Sequence, residues 1–202
     1  MNIIDTIIPG QQTGWESNTE EKVTTANRQE AEQLYELAKS RLLDVNHWHE
    51  LKNMPATFAL TDGQGNHVEG PVKPDVFFKI SIPSPTTESG EGFDWVQVED
   101  VSEISDAAAD RKVSYIIVHP APNPTTEKHD DASHFFSPEA SSCFVVARDK
   151  NDVIAAVYGR NEKPNVGTES LLDKARNVIV AIGAAVGMSK IQWKSLVKGL
   201  LS

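Results

Sequence analysis

The stretch Cys143-Phe144-Val145-Val146-Ala147-Arg148-Asp149-Lys150-Asn151-Asp152-Val153-Ile154-Ala155-Ala156-Val157-Tyr158 decides the fold. Its two apolar runs, 143–147 and 153–158, are apolar at every position and not at every second one. That pattern belongs to strands covered on both faces. Between them, Arg148 to Asp152 supplies the charged and Asn-bearing chemistry of a hairpin turn. A parallel crossover needs a dozen or more residues, usually helical, so the two runs are expected to pair antiparallel.

Working outward, Val113 to Val118 is a third run apolar on both faces. Further upstream the pattern becomes alternating, the mark of half-buried strands. Val76, Phe78, Ile80 and Ile82 alternate with Phe77, Lys79 and Ser81 before Pro83 ends the run. Around 95–99, Val96 and Val98 share one face, with Trp95 on the other beside Gln97 and Glu99. Residues 57–60 lead into the turn Asp62-Gly63-Gln64-Gly65, and His67 to Glu69 is expected to return as a hairpin arm.

Helices flank this β-rich core of 56–160. Asn27 and Glu30 have capping-box spacing, and Ala31, Leu34, Tyr35, Ala38, Leu42 and Val45 recur near helical intervals, which predicts a helix over 27–45. His47, Trp48, His49 and Leu51 extend its end. At the other terminus Thr168 can cap a helix striped by Leu171, Leu172, Ala175, Val178, Ile179, Ile182 and Val186. Ser189 and Gln192 open a second, lined by Trp193, Leu196, Val197, Leu200 and Leu201. Residues 1–26 read as an N-terminal arm, carrying Ile3, Ile4, Ile7 and Ile8 and then a polar segment with an isolated Trp15. The expected architecture is α+β: a curved, mostly antiparallel sheet or partly open barrel in one domain, 27–202, with an N-terminal helix and a helical pair over 168–201 packed on it.

Charge narrows the partners. With 19 basic against 29 acidic residues in 202, the formal charge is -10, which repels phosphate backbones and anionic lipid. Neither nucleic acid nor a membrane is an expected partner. Lys190, Lys194 and Lys198 form a local basic patch that suits a helix C-terminus. Cys143 is the only cysteine, which excludes an intrachain disulfide and fits a reducing compartment. The N-terminus lacks the basic start of a secretory leader, and the apolar run 178–186 falls short of the roughly 20 residues of a membrane span. The cytoplasm is the expected location.

The chemistry is sparse. The loop after 113–118 brings His119, His129, Asp131 and His134 into one connection, residue types that ligate zinc, iron or manganese. A loop fixes no ligand spacing, however, and a polar surface loop accounts for the same residues; no cofactor is expected. Cys143 begins an apolar strand, where a thiol behaves as a small hydrophobe. No serine lies in a nucleophile elbow, and no glycine cluster opens a helix as phosphate cradles require. His47 and His49, two apart, point to different sides of a helix.

The segments Asp94-Trp95-Val96-Gln97-Val98-Glu99, Gly159-Arg160-Asn161-Glu162-Lys163-Pro164-Asn165 and Gln192-Trp193-Lys194-Ser195-Leu196 resemble a family of uncharacterised bacterial proteins, over most of the chain after the first helix. The resemblance implies a bacterial context and carries no activity, cofactor or functional residue. Three roles are consistent with the residues. The first is a non-enzymatic binding or assembly protein that docks a partner or a second copy through the isoleucine arm or the C-terminal helices. The second is a holder of a small apolar ligand under a helix-covered curved sheet, of which a START-like helix-grip arrangement is one version. The third is a metal-dependent hydrolase built on the histidine-bearing loop. The first asks for no catalytic geometry and is the leading expectation.

Overall fold

The computed structural model describes residues 3–81, 93–125, 136–163 and 191–202. Seven strands form one sheet in the order β1-β7-β6-β5-β4-β3-β2, every neighbouring pair antiparallel. They are β1 (Trp15–Thr24), β2 (Thr57–Thr61), β3 (Phe77–Ser81), β4 (Asp94–Asp106), β5 (Arg111–Pro120), β6 (Ser141–Asp149) and β7 (Asp152–Glu162). The expected hairpin is β6–β7, closed between Asp149 and Asp152 with Lys150 at φ 56°. The sheet is open and curved, with β1 and β2 as its two edges, and helices pack on it.

Helix α1 (Arg28–Leu43) starts where the capping residues place it. Asn27 accepts a hydrogen bond from the Glu30 amide, and the Glu30 carboxylate accepts one from the Ala26 amide. Ala31, Tyr35, Ala38 and Leu42 form its fully buried stripe. A short 3-10 helix, Val45–Glu50, follows and turns Trp48 inward. The residues 191–200 are helical and pack on this corner, with Leu196, Val197 and Leu200 buried. The first helix expected over 168–186, and Ser189, lie outside the described residues.

The two-faced strands need two cores. On the front, α1, the 3-10 helix and 191–200 meet Phe58, Leu60, Phe78, Ile80, Ile116, Phe144 and Val146. On the back, Val113, Tyr115, Cys143, Val145, Ala147, Ala156 and Tyr158 are covered by Ile4, in a 3-10 helix over Ile3–Thr6, and by Ile7 just after it. The N-terminal isoleucines therefore have a place within the chain's own packing. Cys143 is fully buried in this back core, and burial pushes its thiol pKa up to about 12. The native protein is expected to resist an aromatic disulfide reagent at pH 8, with labelling only as fast as the back core opens. Stoichiometric labelling within seconds without denaturant would contradict that burial.

Three segments differ from the sequence reading. Trp15–Thr24, expected as part of an arm, is the edge strand β1, paired with β7 from Trp15↔Glu162 to Thr24↔Asp152. Its Glu, Asn and Thr content hides it, because an edge strand needs little apolar surface once its backbone is paired. Strand β4 continues to Asp106, well past Glu99, with a register shift between Val98 and Asp100. The return arm at His67–Glu69 amounts to one bridge, Thr61↔His67, and a bond from the Val68 amide to the Leu60 carbonyl. Strand β3 is the true partner of β2.

Candidate ligand site

Alternation along β2 and β3 sends Phe58, Leu60, Phe78 and Ile80 into the front core. It leaves Thr57, Ala59, Lys79 and Ser81 on the opposite face, where Thr57 pairs with Ser81 and Ala59 with Lys79. Three of these four are small, so the face has a hollow. Phe93, one residue before β4, forms one wall, and Lys79 Nζ lies 3.8 Å from the centre of its ring. Trp95, across the ladder from Lys79, is 5.7 Å from the same ammonium. His49 from the 3-10 helix and Phe58 complete the lining of an open pocket of about 330 Å³. That volume sits at the lower end of the range for small-molecule sites, about 300–1,000 Å³.

The pocket's chemistry is apolar with a basic element. Ala59, Phe93 and the Lys79 stem supply hydrocarbon, Thr57 and Ser81 supply hydroxyls, and among the described residues no Asp or Glu lines it. His47 and His49 lie on the outside of the 3-10 helix with their rings 6.5 Å apart, while Trp48 between them is buried. Asp44 accepts a hydrogen bond from His47 and raises its pKa, so His47 is engaged in capping that corner.

The other candidates are placed as follows. His119 bonds the Ala140 carbonyl through Nδ1 at 2.8 Å and the Glu99 carboxylate through Nε2. These contacts tie β4 and β5 to the residue before β6. His129, Asp131 and His134 lie outside the described residues. Among the described residues no three His, Cys, Asp or Glu side chains are grouped to hold a metal, and no helix is long and apolar enough to cross a membrane. The pocket residues escape a sequence reading because they come from four separated segments. The only visible signal is the lone lysine in the alternation of 76–82.

No family model matches the chain, and no curated protein matches it. Among solved structures, it is similar to a hypothetical protein from Helicobacter pylori, with 14% identity and a TM-score of 0.49 over 96% of this chain and 92% of that one. An uncharacterised protein from Bacillus thuringiensis shares 13% identity at a TM-score of 0.43, over 93% of this chain and 100% of that one. A norcoclaurine synthase mutant from Thalictrum, in complex with a transition-state analogue, shares 9% identity at a TM-score of 0.40, over 93% and 98%. The resemblance read from the sequence, to a family of uncharacterised proteins, is consistent with the lack of a family or curated match.

Proposed function

We propose that the chain is a binding protein for a small, predominantly apolar molecule, held where β2, β3 and Phe93 surround the pocket. The observation that carries this reading is the hollow itself: about 330 Å³ beside the Phe93 ring, over strand positions occupied by Thr57, Ala59 and Ser81. A ligand of roughly 15 non-hydrogen atoms at about 0.3 kcal/mol per atom gains roughly 5 kcal/mol, a dissociation constant on the order of 0.1–1 mM. Closure of further surface over it would tighten that value.

The test uses N-phenyl-1-naphthylamine, a neutral aromatic fluorophore. Saturable enhancement of its emission is expected with the wild-type chain. Ala59→Trp, which fills the floor, is expected to weaken binding at least tenfold while the far-ultraviolet circular dichroism stays that of the wild type. Linear, unsaturable emission, or equal binding by a folded Ala59→Trp variant, would remove the pocket as the site. The isoleucine arm, which suggested a docking role, is placed against the sheet's own back.

A further inference from the structure

We infer that the pocket selects an acid: an apolar, ring-bearing molecule whose carboxylate or sulfonate is met by the ammonium of Lys79. The inference rests on the pocket being the ligand site and adds the charge of what enters it.

The argument starts from the company each cation keeps. The chain is strongly acidic, at a formal -10. Lys22, Arg28, Lys39, Arg111, Lys112 and Arg148 each sit against a carboxylate. Lys79 has no ion pair among the described residues, and neither have Lys52, Lys73, Lys150, Lys194 and Lys198; what sets Lys79 apart is its neighbours, the rings of Phe93 and Trp95 and, across the ladder, Ala59. The face of Phe93 holds the ammonium on one side through the ring quadrupole, and its N–H donors have no acceptor among the described residues. The ammonium is thereby positioned before any ligand arrives.

The surroundings make that cation selective. Among the described residues the pocket lining includes His49 and contains no Asp or Glu, so none of these residues repels an entering anion with a carboxylate. The hydroxyls of Thr57 and Ser81, an opposed pair, are further donors for the same oxygens. The Phe93 ring accepts the hydrocarbon part, and the lysine fixes which end points inward. A neutral ligand of the same shape leaves the Lys79 donors unanswered, and that difference is the basis of discrimination.

The experiment compares two fluorophores with one skeleton, 8-anilinonaphthalene-1-sulfonate and the neutral N-phenyl-1-naphthylamine, titrated at 20 mM and 300 mM salt. The readout is the ratio of the two affinities. In Lys79→Met that ratio is expected to fall about five- to tenfold relative to wild type, as for the loss of one charge-assisted contact. Lys79→Arg is expected to keep the preference, and high salt to shrink it in the wild type alone. Circular dichroism and the thermal midpoint establish that both variants fold. An unchanged ratio in Lys79→Met, with both fluorophores still displaced by Ala59→Trp, overturns the charge selection and leaves the pocket standing. Absence of saturable binding by either fluorophore, or indifference of both to Ala59→Trp, overturns the pocket and the inference together.

Discussion

Trp48→Ala is expected to lower the unfolding free energy by about 3–5 kcal/mol, the cost of removing a large aromatic side chain from a filled core. Trp48 is 1% exposed, and its ring meets Phe58 at 5.2 Å, Phe78 at 5.8 Å and Phe144 at 5.1 Å between centres. Trp193 closes the cluster from the C-terminal helix, 5.2 Å from Phe144. Strands β2, β3 and β6 and both ends of the helical layer therefore converge on one indole. Its N–H also donates to the Arg41 carbonyl at 2.9 Å, in the last turn of α1. Trp48→Phe keeps most of the volume and loses that bond, so it should cost less, about 1–2 kcal/mol. Urea unfolding followed by circular dichroism measures both. A loss under 1 kcal/mol for the alanine variant would mean that the cluster is not what joins helices to sheet.

The second large effect is expected at Arg148, whose side chain is 2% exposed between α1 and the sheet. Its Nη2 donates to Asp110 at 2.7 Å and its Nη1 to the Lys150 carbonyl. Its Nε lies 2.9 Å from Glu32, close enough to pair in charge though without hydrogen-bond alignment. Removing a buried ion-pair partner usually costs about 3–5 kcal/mol. Arg148→Ala should fall near about 3 kcal/mol, because Asp110 keeps Arg28 and Glu32 keeps Lys112. The pH dependence identifies the cause. Hydrogen bonds from Arg28, and then from Arg148, hold the Asp110 carboxyl well below the usual carboxylate range. With its folded value depressed, its stabilising effect is whole above the unfolded value of about 4 and is lost as pH falls through the folded one. The gap between wild type and Arg148→Ala should therefore be widest at neutral pH and narrow in acid. A gap that is the same at pH 7 and pH 2 would assign the loss to packing alone.

The legible parts of the fold are those where local chemistry and global demand coincide. The hairpin 143–158 announces itself because both runs are central strands and must be apolar on both faces. The start of α1 is equally plain, since Asn27 and Glu30 form their cap within four residues of chain. Strand β1 is hidden for the opposite reason: Val23 is its one aliphatic residue, and its stability comes from a ladder with distant β7. The isoleucines of 3–8 show apolar surface without showing which surface they cover; only the two-sided burial of β5, β6 and β7 answers that. The pocket is less legible still. Lys79 stands out in its strand, but nothing local tells that Phe93 will lie over it or that His49 will border the same hollow.

The pairing of the first strand with the last constrains how the molecule comes into being. As the polypeptide leaves the ribosome, 15–24 appears early and must wait until nearly the whole sheet has been synthesised before its sole neighbour exists. Until then β7's partner-seeking edge is absent, and once made it is briefly bare. Closing so distant a contact is slow in entropic terms, which places completion of the sheet late and makes β7 the surface a chaperone would have most reason to shield.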